Sequence, residues 1–142
     1  LSILEASYII HRLQPYFENF GKRIIKSPKL YFSDVGLVSY LLGIESASQI
    51  ERDPLRGFLI ENLVVNELMK YRYNRGLDPN LYYFRDSNRN EVDIIVKQGN
   101  ELIPIEVKSA KTYTRGFLRG LTYFKKLVEE RVVRSYLVYT GD

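Results

Sequence analysis

The chain has 142 residues, 45% of them apolar and 27% charged, with a formal net charge of +4. That is enough apolar sequence for one buried core, and the charge permits a nucleic-acid partner without requiring one. With no cysteine and a single histidine, His11, the chain excludes thiol catalysis, disulfides, cysteine-based zinc sites and multi-histidine metal sites.

Chemistry is thereby left to carboxylates, lysines and hydroxyls, and carboxylates favour hard cations such as magnesium or manganese. No apolar run approaches the ~20 residues that span a bilayer, and no secretory signal is visible. The cytoplasm is the expected location, with no membrane partner. A first residue of Leu1 rather than Met leads us to expect a piece of a longer protein.

In chain order, Leu1–His11 reads as a short helix running into a strand. Arg12–Lys29, with Pro15, Gly21 and Pro28, reads as a hairpin or wing. Lys29–Phe32 reads as a short strand, and Ser33-Asp34 offers an N-cap for a helix over Val35–Leu42 that Gly43 ends. The polar stretch Glu45–Asp53 reads as loop and as the boundary between a part spanning 1–45 and a part spanning 46–142. Asp53-Pro54 opens the longest helix, with Pro54 at its first position, and the helix runs to about Tyr73. Leu81–Arg85 is an aromatic-rich strand, and Asp86–Asn90 a polar turn. Glu91–Val96 and Glu101–Ser109 are strands joined by a tight turn at Gly99-Asn100. A helix from about Thr114 to Glu129 and a strand over Val132–Tyr139 complete the chain. The second part is thus α-β-β-β-α-β, an α/β arrangement around one small mixed sheet.

Four residues carry the chemical interest. Glu61 lies mid-helix, with Gly57, Phe58, Val64 and Val65 one turn away. A carboxylate there needs a cation or a donor if it is buried; otherwise it reaches solvent from the edge of the stripe. Strict alternation puts Val92, Ile94 and Val96 on one face of their strand, and Glu91, Asp93 and Ile95 on the other. By itself Asp93 reads as a strand-end carboxylate meeting water. In the next strand Ile103, Ile105 and Val107 share a face, while Glu106 and Lys108 share the other, about 6.6 Å apart. A same-face Glu/Lys pair is common on solvated sheets. The hairpin, however, brings it beside Asp93. Asp93 and Glu106 can then supply oxygen ligands to magnesium or manganese, with the Val107 carbonyl as a third. Lys108 can hold or help deprotonate an attacking water, and Glu61 can bind a metal-bound water or a second metal.

The order Glu61, Asp93, Glu106, Lys108 resembles the PD-(D/E)XK nuclease-like superfamily, with Val92 where the superfamily name has Pro. Longer phrases narrow the resemblance: Lys26–Leu37, Gly57–Val64, Glu91-Val92-Asp93 and Ile105–Lys108 together are similar to the domain of unknown function 4143, found C-terminal to AAA+ ATPase modules. The resemblance covers nearly the whole chain. It implies a restriction-endonuclease-like sandwich preceded by a winged-helix-like remnant in residues 1–45. It also implies an upstream ATPase module of the same protein as partner. ATP would belong to that module alone, because no phosphate-binding loop motif occurs here.

Positive charge is concentrated beside these residues. Residues 51–100 balance at eight basic against eight acidic, whereas the part after residue 100 has eight against five. Lys108, Lys111, Arg115, Arg119, Lys125 and Lys126 form a run without an acid, and Arg115 and Arg119 are expected to share a helix face. Lys22, Arg23, Lys26 and Lys29 form another such run. Such stretches either contact nucleic-acid phosphates or form ordinary solvated faces. Arg85, Lys111, Arg115 and Arg119 are the candidate phosphate contacts, and Tyr113 is a candidate cleft residue. Three readings follow: a magnesium-dependent nuclease-like domain, a non-catalytic module that binds nucleic acid or protein and regulates the ATPase, and a structural domain whose acids only pair with Lys108.

Overall fold

The computed structural model describes residues 1–18 and 24–141. Lys22 and Arg23 of the first basic run lie outside the described residues. The elements are α1 (Ser2–Ala6), β1 (Ile10–Pro15), β2 (Lys29–Phe32), α2 (Val35–Leu41), α3 (Ala47–Arg52), α4 (Arg56–Tyr73), β3 (Leu81–Arg85), β4 (Glu91–Gln98), β5 (Glu101–Lys108), α5 (Arg119–Val128) and β6 (Tyr136–Tyr139). Two 3-10 turns, Arg115–Leu118 and Glu129–Arg131, flank α5. No helix among the described residues is long and apolar enough to cross a membrane.

The strands form one mixed sheet in the order β2-β1-β3-β4-β5-β6. Pairings are antiparallel for β1–β2, β3–β4 and β4–β5, and parallel for β1–β3 and β5–β6. The α/β class and the order of elements after residue 53 are therefore as expected. The strands before residue 45 continue the same sheet, with β1 beside β3 and β2 beyond it.

Helices cover both faces. On one, Ile60, Val64, Val65, Leu68 and Met69 of α4 pack against Leu81, Tyr83, Ile94, Val96, Ile103, Ile105 and Val107. On the other, Leu121, Phe124 and Val128 of α5 pack against Phe84, Val92, Ile95 and Leu102. Both faces of the central strands are thus dry, which explains their near-continuous apolar runs.

Several local details depart from the expected pattern. The stretch read as a loop contains α3, because Ser46 and Gln49 form a reciprocal capping box that a count of polar residues does not register. The long helix starts at Arg56 rather than Pro54. Asp53 instead accepts the Leu55 N–H on its side chain at 2.7 Å, so Pro54 sits in a turn. The last strand shrinks to Tyr136–Tyr139. Arg115 stands in a 3-10 turn and Arg119 opens α5, so with about three residues per turn they do not share a face.

The departure with most consequence is in β4. Tyr82 pairs with Ile95, but Phe84 pairs with Val92. Asp93 and Ile94 together therefore oppose Tyr83 alone, which is a β-bulge. Alternation slips there: Val92 and Ile95 face α5, while Ile94 and Val96 face α4. The expected face of Val92, Ile94 and Val96 is split, and Asp93 sits at the slip.

Strand β2 is tied to α4 by polar contacts. Asn62, fully buried, accepts the Phe32 N–H at 2.9 Å and donates to the Phe32 carbonyl at 2.8 Å. Asn66 donates to the same carbonyl at 3.0 Å. The Asn62→Ala variant leaves the Phe32 amide without its acceptor. It is expected to lose about 1–3 kcal/mol in urea unfolding; a change within about 0.5 kcal/mol would contradict this anchoring.

Candidate functional site

The site grows from the splayed end of the β4–β5 hairpin. The backbone ladder reaches Ile94↔Ile105. Beyond it the Val107 N–H donates to Asp93 Oδ2 at 2.9 Å. The bulge thus frees a strand amide, and a carboxylate takes it. The Lys108 carbonyl accepts from Thr140 N on the opposite side, so the Val107 carbonyl shares the Asp93 side with its own N–H.

Two lysines gather the acids. Lys108 Nζ lies 2.5 Å from Glu106 Oε1 and 3.8 Å from Asp93 Oδ2. Lys29 Nζ, from β2, lies 2.8 Å from Glu61 Oε1, 2.7 Å from Glu91 Oε1 and 3.9 Å from Asp93 Oδ1. The Tyr31 hydroxyl also donates to Glu61 Oε1, and its ring lies between His11 and Phe58, parallel to Phe58 within 4°. Arg85 grips Glu91 with two hydrogen bonds of 2.9 Å.

All four expected residues, Glu61, Asp93, Glu106 and Lys108, are therefore linked through the two lysines. Arg119 lines a cleft of about 200 Å³ with Arg89, Glu91, Glu106, Lys108 and Gly120. A second cleft, of about 390 Å³, is lined by Lys29, Tyr31, Phe58, Glu61, Arg85, Glu91 and Asp93. Lys111, Arg115 and Tyr113 line neither. Tyr113 instead packs against Phe117 and Tyr139. Arg85 lines the second cleft and pairs there with Glu91.

Sequence reading missed Lys29, Tyr31, Glu91 and Gly120. Lys29 and Tyr31 are two apart on one strand, so they share a face, but their partner face becomes known only with the strand order. Gly120 leaves room for Glu106: a Cβ there would meet the Glu91 carbonyl oxygen at 2.1 Å and Glu106 Oε2 at 3.3 Å.

Burial sets the protonation. It pushes the Glu106 carboxyl up to about 7, helped by the charge of Asp93 and opposed by Lys108. Burial and the Glu61 charge also raise Asp93, against the Val107 N–H and both lysines. For Glu91 burial acts upward too, but Arg85 and Lys29 outweigh it and hold the group below its ordinary value. Burial pulls Lys29 down, yet Glu61 and Glu91 prevail and raise it. Glu106 Oε2 is buried without a hydrogen-bond partner, a costly state for a carboxylate oxygen. Among the described residues no three acidic or histidine side chains converge on one metal-ion position.

A mixed sheet between two helical layers, with a buried carboxylate–lysine cluster at the open end of its central hairpin, defines the class: an α/β domain with an acid–lysine site. The sequence profile of the Domain of unknown function (DUF4143) matches residues 56–142, and the chain belongs to that family. A second profile, Domain of unknown function (DUF8612), matches residues 1–48. An uncharacterised protein of Mycobacterium bovis is 34% identical over 143 residues, covering 100% of this chain and 30% of that protein. An uncharacterised protein of Mycobacterium tuberculosis matches to the same extent. The chain thus spans about 30% of the length of these relatives. No solved structure matches the chain.

The raised Glu106 has a thermodynamic consequence. The folded chain keeps its proton up to about pH 7, whereas the unfolded chain releases it near the ordinary 4.5. Between these values Glu106 is protonated only in the folded chain, so its contribution to stability falls as pH rises through the window and levels off above it, while His11, lowered by burial, acts in the opposite sense. Asp93 acts with the same sign, and Glu91 acts below its ordinary value, outside the window. Glu106→Gln, neutral throughout, is expected to flatten the fall in melting temperature between about pH 5 and about pH 8. Parallel pH profiles for parent and variant would contradict the assignment.

Proposed function

We propose that the domain is a nuclease-like module that hydrolyses phosphodiester bonds of DNA or RNA with a divalent metal ion. One observation carries the reading: Asp93, Glu106 and Lys108, on adjacent strands, are held in contact while Glu106 Oε2 stays buried with no hydrogen bond. The donor set fits magnesium or manganese, since Asp93, Glu106 and the Val107 carbonyl offer hard oxygens. The α-β-β-β-α-β order and the resemblance to the PD-(D/E)XK superfamily support a restriction-endonuclease-like sandwich.

Magnesium or manganese bound there would supply charge neutralisation at the phosphodiester and a more acidic water. The chain's own groups do the rest. The Val107 N–H fixes the Asp93 carboxylate. Lys108 touches both acids and its side chain is 33% exposed, so it can position the attacking water and offset charge on the phosphate. Arg89 and Arg119, which line the smaller cleft with Lys108, would contact the flanking phosphates. Glu106 must ionise to bind the ion, so binding tightens as pH rises toward neutrality.

The resemblance also supports a place beside an AAA+ ATPase module. A second reading, binding without cleavage as a regulatory module, has its own support: Lys29 already offsets the acids from within. The experiment is digestion of plasmid and single-stranded oligonucleotides with magnesium or manganese. Asp93→Ala and Lys108→Ala are each expected to reduce cleavage about 100-fold or more. Salt-sensitive binding that survives both changes, without cleavage by the parent, would favour the regulatory reading. Absence of both binding and cleavage would contradict both.

A further inference from the structure

We infer that Lys29 is a built-in cation that holds the second cation position of this site, so that the domain takes one divalent ion where an all-carboxylate arrangement would take two. The inference rests on the metal reading above and assigns a role to a residue outside that ligand set. Its basis is the way Asp93 is shared. Asp93 Oδ2 faces the Val107 N–H at 2.9 Å and Lys108 at 3.8 Å, and Lys108 in turn contacts Glu106 Oε1. Asp93 Oδ1 faces Lys29 at 3.9 Å. Paired-metal sites hold two ions about 3.5–4 Å apart as a clamp on the reacting phosphate. Here an ammonium stands on each side of the Asp93 carboxylate: that of Lys108 is 33% exposed and free to give way to an ion, whereas that of Lys29 is held by two further carboxylates.

The surroundings of Lys29 are those of a cation site. Two carboxylates, Glu61 and Glu91, meet its Nζ at 2.8 and 2.7 Å, ordinary lengths for charge-assisted hydrogen bonds. Magnesium would need oxygens at about 2.0–2.1 Å, so the ammonium holds them at its own distance. Its side chain is only 17% exposed, and the Tyr83 ring lies 5.2 Å away. The Tyr83 hydroxyl donates to the Ser27 carbonyl, two residues before Lys29. The strand itself is tied to α4 through Asn62. Lys29 is therefore fixed by sheet pairing rather than free to swing away. Lys108, in contrast, stands at the cleft mouth. Glu61 accordingly acts on Lys29 and is a positioning residue, not a metal ligand.

The test is a manganese titration of the full-length protein without nucleotide, read by the electron paramagnetic resonance signal of free ion. One tight site is expected in the parent and in Lys29→Arg, and two in Lys29→Met. Circular dichroism reports whether each variant folds. If Lys29→Met does not fold, Glu61→Gln decides: affinity within about threefold of the parent is expected, against loss of binding in Asp93→Asn. Two sites in the parent, or no gained site in a folded Lys29→Met, would overturn the inference while leaving the metal reading standing. A parent that binds none and a Lys29→Met that binds one would support the role of Lys29 and remove the metal-dependent reading. No binding in either would overturn both.

Discussion

Four carboxylates, Glu61, Glu91, Asp93 and Glu106, share one poorly hydrated corner of the sheet, and their mutual repulsion is the constraint around which the site is arranged. Two like charges 4 Å apart repel by about 4 kcal/mol at an effective dielectric of 20. The chain answers in three ways. Lys29, Lys108 and Arg85 bring positive charge into contact. The Val107 N–H and the Tyr31 hydroxyl donate to the acids. Glu106 holds its proton to about pH 7. Each answer depends on a specific piece of backbone.

The bulge in β4 is the first piece. By adding one residue opposite Tyr83 it releases the Val107 amide from the ladder and points it at Asp93. Strand β2 is the second, because it delivers Lys29 and Tyr31 to α4 and the β4 terminus together. Gly120 is the third, since a larger residue would close the space that Glu106 and the Glu91 carbonyl use. A residual electrostatic need at Glu106 Oε2 links this packing to function: an oxygen buried without a partner is one a cation would satisfy.

Much of the frame was legible before the structure. Apolar runs, aromatic content and turn residues marked β2, β3 and the β4–β5 hairpin, and Gly99 takes the positive φ of its turn. Glu61, Asp93, Glu106 and Lys108 were singled out because their residue types and spacing suit hard-cation chemistry, and the structure brings them together through Lys29 and Lys108. Lys29 was not, since a strand from the first 45 residues joins the site only through the β2-β1-β3-β4 order, a long-range property. The common face of Val92, Ile94 and Val96 was misread because alternation holds only for unbroken pairing, and a bulge depends on both strands at once. Helix α3 was hidden by its polarity, although Ser46 and Gln49 carried the capping signal. Arg115 and Arg119 were placed on one face by assuming 3.6 residues per turn through a 3-10 segment.

The most direct measurement is a crystal structure of the protein soaked in manganese, with anomalous scattering used to locate the ion. The account predicts a peak at coordination distance from carboxylate oxygens of Asp93 and Glu106 and from the Val107 carbonyl, with Lys29 still between Glu61 and Glu91. Saturating manganese with no peak beside Asp93 and Glu106, or a peak that displaces Lys29 instead, would contradict it.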